Sequence, residues 1–132
     1  MNILLRTAAI AGILGAALTH QVRAAGIGAS SLPPGLYDCT MLSTGGMVML
    51  FGTIEIRGMG FRTATDGKYG PERPYRIDDQ GVITWGGPFG DVETEGTRVV
   101  SSIYKSTSPP TFDVTLKTVR DTFHTLSCSR QK

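Results

Sequence analysis

Histidine and cysteine, on which most metal sites and nucleophilic catalysis depend, are scarce in this sequence. The chain of 132 residues holds two histidines, His20 and His124, and two cysteines, Cys39 and Cys128. A zinc site takes three or four such ligands, and a nucleophilic triad needs a histidine beside a positioned serine or cysteine. We therefore predict no catalytic residue, no metal site, no cofactor and no enzymatic activity.

Long hydrophobic runs are also missing. An apolar stretch over residues 7–18 follows Arg6 and is shorter than the roughly 20 residues that a transmembrane helix requires. With Val22 and Ala24 at the minus-three and minus-one positions, it is typical of a secretory signal peptide, residues 1–24, cleaved after Ala24. A membrane-anchoring N-terminus is the alternative. We expect a periplasmic or secreted protein that does not insert into a membrane after cleavage.

Charge of one sign is not in excess. The whole chain carries a formal net charge of +2. Arg6 and Arg23 lie in the predicted signal peptide, which contains no acid, so the remainder has equal numbers of basic and acidic residues. Nucleic-acid binding and polybasic attachment to membranes both depend on a positive field. We therefore expect neither partner, and predict a monomer that binds an unknown protein or a small ligand.

The two cysteines lie near the two ends of the chain that remains after cleavage. Because exported compartments are oxidising, we expect Cys39 and Cys128 to form a disulfide bond. Two free thiols, or half of a metal site, are the alternative. A bridge between these positions requires the first and last strands to be neighbours.

Glycine and proline interrupt the chain about every ten residues, and the segments between them alternate apolar and polar side chains. This period is that of half-buried strands, and no segment has a helical period. The sequence therefore predicts about eight short strands, over residues 35–42, 47–57, 61–65, 75–78, 82–85, 98–104, 112–116 and 123–128.

These strands predict an all-β fold in a single domain, residues 35–130, preceded by a flexible segment, residues 25–34. Without crossover helices the strands pair antiparallel. Eight antiparallel strands form either a small β-barrel or a two-sheet β-sandwich. We favour the antiparallel barrel, because a disulfide between the terminal strands brings the ends of the sheet together.

Three segments carry a resemblance to known proteins: residues 34–39 with Tyr37, the 75–85 hairpin followed by residues 86–90, and residues 126–128. They resemble small exported bacterial domains of uncharacterised function and, faintly, lipocalin-like barrels, including exported protease-inhibitor and lysozyme-inhibitor barrels. The resemblance implies a barrel with a glycine-x-aromatic on the first strand and a disulfide near it. Tyr37 stands where lipocalins usually have tryptophan, so no functional residue is transferred from them.

Aromatic residues supply the candidate binding site. Trp85 and Phe89 flank Gly86, Gly87 and Pro88, so this segment is either an aromatic binding loop or a sharp corner whose aromatics pack inward. Three tyrosines, Tyr69, Tyr75 and Tyr104, either line a cavity for an apolar or sugar-like ligand or pack in the core or at its rim.

Polar residues offer weaker candidates. Asp91, Glu93 and Glu95 alternate as cation ligands could, but they lack the spacing of a calcium loop. His124 shares its predicted face with Leu126, which indicates a partly buried residue beside the disulfide.

Together, these observations predict that the protein is an exported, non-enzymatic binding module that contacts a macromolecule or a small ligand. Inhibition of a hydrolase is one concrete form. A structural, envelope-associated protein without a specific ligand is the alternative, and a hydrolase is the least favoured. Fold class does not choose among them, because one fold hosts many functions.

Overall fold

The computed structural model describes residues 30–89, 93 and 96–132. It contains nine β-strands and, over these residues, no α-helix. The strands are β1 Gly35–Leu42, β2 Val48–Arg57, β3 Gly60–Thr65, β4 Lys68–Tyr69, β5 Arg73–Ile77, β6 Ile83–Trp85, β7 Arg98–Thr107, β8 Pro110–Lys117 and β9 Phe123–Arg130. The predicted all-β class is confirmed.

The strands form one antiparallel sheet in the order β6-β5-β3-β2-β1-β9-β8-β7, with β4 added beside β3. The sheet curls into a nearly closed barrel, because its two edge strands meet at one end. There Val82 and Ile103 form an isolated antiparallel bridge, and the Tyr104 N–H donates to the Gly81 carbonyl oxygen at 2.8 Å. The barrel is therefore confirmed and the sandwich alternative is not what forms.

The first and last strands are neighbours. Cys39 and Cys128 lie directly opposite each other on β1 and β9 and form the predicted disulfide. Both cysteines are buried, so the bridge lies inside the barrel.

The core follows from alternation along the strands. On β8 every second residue is buried from Pro110 to Leu116, because successive side chains of a strand point to opposite faces. The inward positions of the other strands complete one hydrophobic core, which includes Tyr37, Ile54, Ile56, Phe61, Tyr75, Tyr104 and Leu126.

Several strands differ in extent from the prediction. Residues 69–74 lie between two of the predicted strands, 61–65 and 75–78, but Tyr69 pairs with Ala64 and Pro74 pairs with Gly60. A proline is accepted there because Pro74 lies near the start of a short strand and its ladder with β3 has only two pairs. His124 is exposed rather than partly buried, because the ladder between β1 and β9 ends at Leu126 and leaves His124 paired with β8 alone.

The predicted signal peptide, residues 1–24, and residues 25–29 lie outside the described residues. The described part of the segment predicted as flexible includes Leu32, which is buried in the core.

Candidate functional site

The Trp85–Phe89 segment is a packed corner of the barrel. Phe89 is 3% exposed and belongs to the core, against which Trp85 packs. The Trp85 ring lies 5.1 Å from the Phe89 ring, 4.7 Å from Phe61 and 5.6 Å from Phe112, measured between centroids. The structure thus brings Trp85 and Phe89 together, but it turns them inward, which is the second of the two predicted alternatives.

Close packing of two backbone segments requires a glycine at position 86. The Gly86 N–H donates to the Pro74 carbonyl oxygen at 2.7 Å, and a Cβ on Gly86 would lie 2.5 Å from that same oxygen. Only glycine allows the two backbones to approach so closely. The segment that looked like a presented loop is therefore shaped by contact with the neighbouring strand.

Tyr75 and Tyr104 also belong to the core, each 1% exposed. The Tyr75 hydroxyl donates to the Gly58 carbonyl oxygen at 2.7 Å and accepts the Leu32 N–H at 2.8 Å. Burial raises the pKa of each of these two tyrosines above the ordinary value for tyrosine. The Tyr75 hydroxyl thereby holds the N-terminal segment and the β2–β3 turn against the barrel, which is a structural role.

A different element carries the exposed apolar surface: the hairpin that joins β1 to β2, residues 42–51, called here the apolar hairpin. Six of its side chains are large, apolar and between 42% and 69% exposed: Leu42, Met47, Val48, Met49, Leu50 and Phe51. No charged residue occurs between Asp38 and Glu55. Contiguous exposed apolar surface of this kind marks an interaction site in a folded protein.

The hairpin is built by an ordered turn. The Ser43 N–H donates to the Met47 carbonyl oxygen at 2.8 Å, and the Gly46 N–H donates to the Ser43 carbonyl oxygen at 2.9 Å. The Ser43 hydroxyl accepts the Met47 N–H at 3.1 Å. Gly46 has a φ of +79°, which glycine adopts without strain. The tip is therefore fixed by its own hydrogen bonds.

A β-bulge lies at the base of the hairpin. Cys39 pairs with Gly52 and Thr40 pairs with Leu50, so Phe51 is the additional residue. Beyond the bulge, Leu42, Val48 and Leu50 face outward with Thr40, while Met41 and Met49 continue the inward face past the end of the core. Both faces of the hairpin are therefore apolar and both are accessible.

The turn between β8 and β9 adds to the same end of the barrel. Because Met41 pairs with Leu126, the residues that precede Leu126 lie beside the apolar hairpin. Val119 and Phe123 are both exposed there. Lys117 and Asp121 form an ion pair at 2.9 Å that supplies local charge at the rim.

Two concavities adjoin the apolar hairpin. A cavity of about 30 Å³, lined in part by Cys39, Phe51 and Leu126, has room for about one or two water molecules and none for a larger ligand. An open groove of about 530 Å³ runs beside β2, lined in part by Leu50 and Tyr69. The groove, not the interior, is large enough to receive part of a partner.

The described residues hold no group of three or more histidine, cysteine, aspartate or glutamate side chains placed to bind a metal ion. Of the three alternating acids, Asp91 and Glu95 lie outside the described residues. Glu93 accepts the Phe89 N–H at 2.9 Å and the Val99 N–H at 3.0 Å. Its carboxylate thereby links the packed corner to β7.

The apolar hairpin is not among the candidate sites predicted from the sequence. The signal was present, since Met47 to Phe51 is an apolar run without alternation. In a strand with one face in the core and one in water, apolar residues occur at every second position. An unbroken run of apolar residues at the end of a predicted strand therefore indicates that both faces are buried or that both are exposed.

No helix among the described residues has the length and apolar character needed to cross a membrane.

We compared the chain with models of protein families, with curated proteins and with solved structures. No family model matches the chain, no curated protein matches it, and no solved structure matches it.

Proposed function

We propose that this protein is an exported, non-catalytic binding module and that the apolar hairpin, residues 42–51, is its partner-contacting element. The exposure of six large apolar side chains on one uncharged hairpin carries the proposal. Exposed large apolar residues on the other strands, Tyr69, Val100, Ile103 and Phe123, are separated from one another along the chain. Those of the apolar hairpin are consecutive from Met47 to Phe51.

The energetics favour a macromolecular partner. Full burial of a large apolar side chain is worth about 1.5–3 kcal/mol, and the two most exposed outward residues, Leu42 and Val48, face each other across the hairpin. A single small ligand could not cover both faces of such an element. The entropy lost on association offsets part of this gain in binding free energy. The ordered turn makes that entropy loss smaller, because less of the hairpin has to be fixed on binding.

Export is supported by the disulfide. The Cys39–Cys128 bridge is of the kind that persists in oxidising compartments, as the N-terminal signal pattern predicts. Inhibition of an extracellular or periplasmic hydrolase, by insertion of the apolar hairpin into its active-site cleft, is one specific form of the proposal.

The test uses a matched pair of variants. Leu42→Ser with Leu50→Ser removes two outward side chains of the apolar hairpin, and Met59→Ser with Ile103→Ser removes two exposed apolar side chains in the β2–β3 turn and on β7. Wild type and both variants, tagged at the C-terminus, are used to capture proteins from envelope and secreted fractions. Each captured protein is then purified and titrated by calorimetry.

We expect a purified partner to bind wild type at 1:1 stoichiometry, with at least tenfold weaker binding by the hairpin variant and less than twofold change for the control. Unchanged thermal midpoints would show that both variants are folded. A partner that binds wild type and hairpin variant equally well would contradict the proposal.

A further inference from the structure

The apolar hairpin carries an unpaired backbone edge as well as apolar side chains. β3 pairs with β2 from Thr53 to Arg57 only. From Val48 to Gly52, β2 has β1 on one side and, among the described residues, no strand on the other. Unpaired edges of this kind are templates for the addition of another strand.

The alternation of an antiparallel ladder identifies the free groups. Ser43 donates to the Met47 carbonyl oxygen, so that pair is of the hydrogen-bonded kind. Hydrogen-bonded and non-hydrogen-bonded pairs then alternate along the strands. Met49 therefore bonds to β1 through Met41, whereas Val48 and Leu50 direct their N–H and C=O groups away from β1. These two residues present two donors and two acceptors to the unpaired side.

The space beside this edge is open. The groove of about 530 Å³ is lined by Leu50, Phe51 and Thr53 of β2, and also by Leu36 of β1 and by Gln131, which follows β9. Residues of the β3–β4 hairpin, including Ala64, Asp66 and Tyr69, line the other side. β3 ends at Thr65, and the chain continues through Asp66 and Gly67 into β4, which pairs with β3 on the side away from β2. The edge of β2 beyond Thr53 is therefore left without a neighbouring strand among the described residues.

The chemistry of the edge restricts its occupant. Lipid chains cannot bond to the free N–H and C=O groups, and a helix has already used its own backbone groups. An extended chain satisfies both requirements, because it presents backbone donors and acceptors along one side and side chains on two faces. With no charge between Asp38 and Glu55, the side chains that complement β2 are uncharged and apolar. Asp66, on the other side of the groove, is the one charged residue among the described residues that line it.

We propose that the partner contributes an extended, uncharged apolar segment that adds to β2 as a strand along Val48 to Gly52. This inference rests on the proposed function, because it assigns the mode of binding and the class of partner at the same hairpin. Backbone bonds give such complexes affinity, and side chains on alternate positions give specificity.

The test needs only a defined probe. A capped peptide of alternating valine and threonine, with a terminal lysine pair for solubility, is compared with the same peptide N-methylated at every second residue. The two peptides share their side chains, but N-methylation removes backbone donors and blocks strand pairing. Binding is measured by fluorescence anisotropy, and amide hydrogen exchange of the protein is followed by NMR.

We expect the unmethylated peptide to bind at least tenfold more tightly. We also expect it to slow amide exchange at Val48 and Leu50 at least tenfold, while Met49, already bonded to β1, changes less than twofold. Equal binding of the two peptides, or no binding at millimolar concentration, would overturn strand addition. Concentration-dependent dimerisation that protects Val48 and Leu50 would overturn it in favour of pairing between copies of this chain.

Variants separate this inference from the proposed function. Val48→Pro removes an outward N–H without breaking the ladder with β1, and Val48→Thr changes the side chain but keeps the N–H. We expect the proline variant to weaken peptide binding at least tenfold and the threonine variant less than threefold. If Leu42→Ser with Leu50→Ser abolishes binding of the purified partner and Val48→Pro does not, strand addition is wrong and the binding hairpin stands.

Discussion

Removal of the Cys39–Cys128 bridge gives a prediction whose size follows from the structure. The two cysteines are separated by 89 positions, and a cross-link restricts the unfolded chain more as the closed loop grows. With that separation the chain-entropy model gives about 4.6 kcal/mol at 25 °C. Since a domain of this size is stable by about 5–15 kcal/mol, we expect the variant Cys39→Ala with Cys128→Ala to be close to its stability limit.

The assay is urea unfolding of wild type and the double variant, each with and without reductant. Alanine avoids a hydroxyl at two buried positions. We expect a loss of about 4–5 kcal/mol and a fall in Tm of about 20–25 °C. Reductant should bring wild type to the stability of the variant and leave the variant unchanged. A loss below about 1 kcal/mol would refute the argument, because the long closed loop would then contribute almost nothing.

Two further predictions test the barrel itself. Phe89→Ala should destabilise the protein by about 3–5 kcal/mol in urea unfolding because its ring is buried, whereas Phe123→Ala should cost less than about 0.5 kcal/mol at an exposed position; equal small effects would favour an exposed loop at Phe89. Burial raises the pKa of Tyr37 from 10.0 to about 12. Between pH 10 and pH 12 the hydroxyl of Tyr37 is therefore protonated in the folded protein but ionised in the unfolded chain. Stability should therefore be full below pH 10 and fall as pH rises toward 12, and phenolate absorbance should show this tyrosine titrating late; a Tyr37→Phe variant that keeps the same alkaline decline would contradict the assignment.

Much of the fold could be predicted because it depends on local pattern. Alternation along Phe112–Leu116 and the glycine-containing turn before Val82 define strands without reference to distant residues. The pairing of Cys39 with Cys128 then fixed the neighbours at the chain ends. Strand extents were less predictable, because β4 exists only through its contact with β3.

The direction of the aromatic side chains could not be predicted in the same way. Trp85 and Phe89 turn inward because the sheet curls and brings Phe61 and Phe112 against them, and curvature is a property of the whole sheet. The free edge at Val48 and Leu50 likewise exists because β3 ends early on its neighbour. The inward direction of the two aromatic side chains and the free edge of β2 both depend on residues outside the segments in which they occur.

The pairing of β1 with β9 also determines how the protein can be attached to something else. Tyr37 lies opposite Arg130, and the Gln131 N–H donates to the Leu36 carbonyl oxygen, so the chain enters and leaves the barrel side by side. Both points lie at the end of β1 opposite to the turn of the apolar hairpin, which follows Leu42, and Leu36 and Gln131 also line the groove beside β2. A tether, a fusion domain or a solid support joined near either strand end would therefore leave the turn of the hairpin pointing away from the attachment, but would itself lie next to the groove.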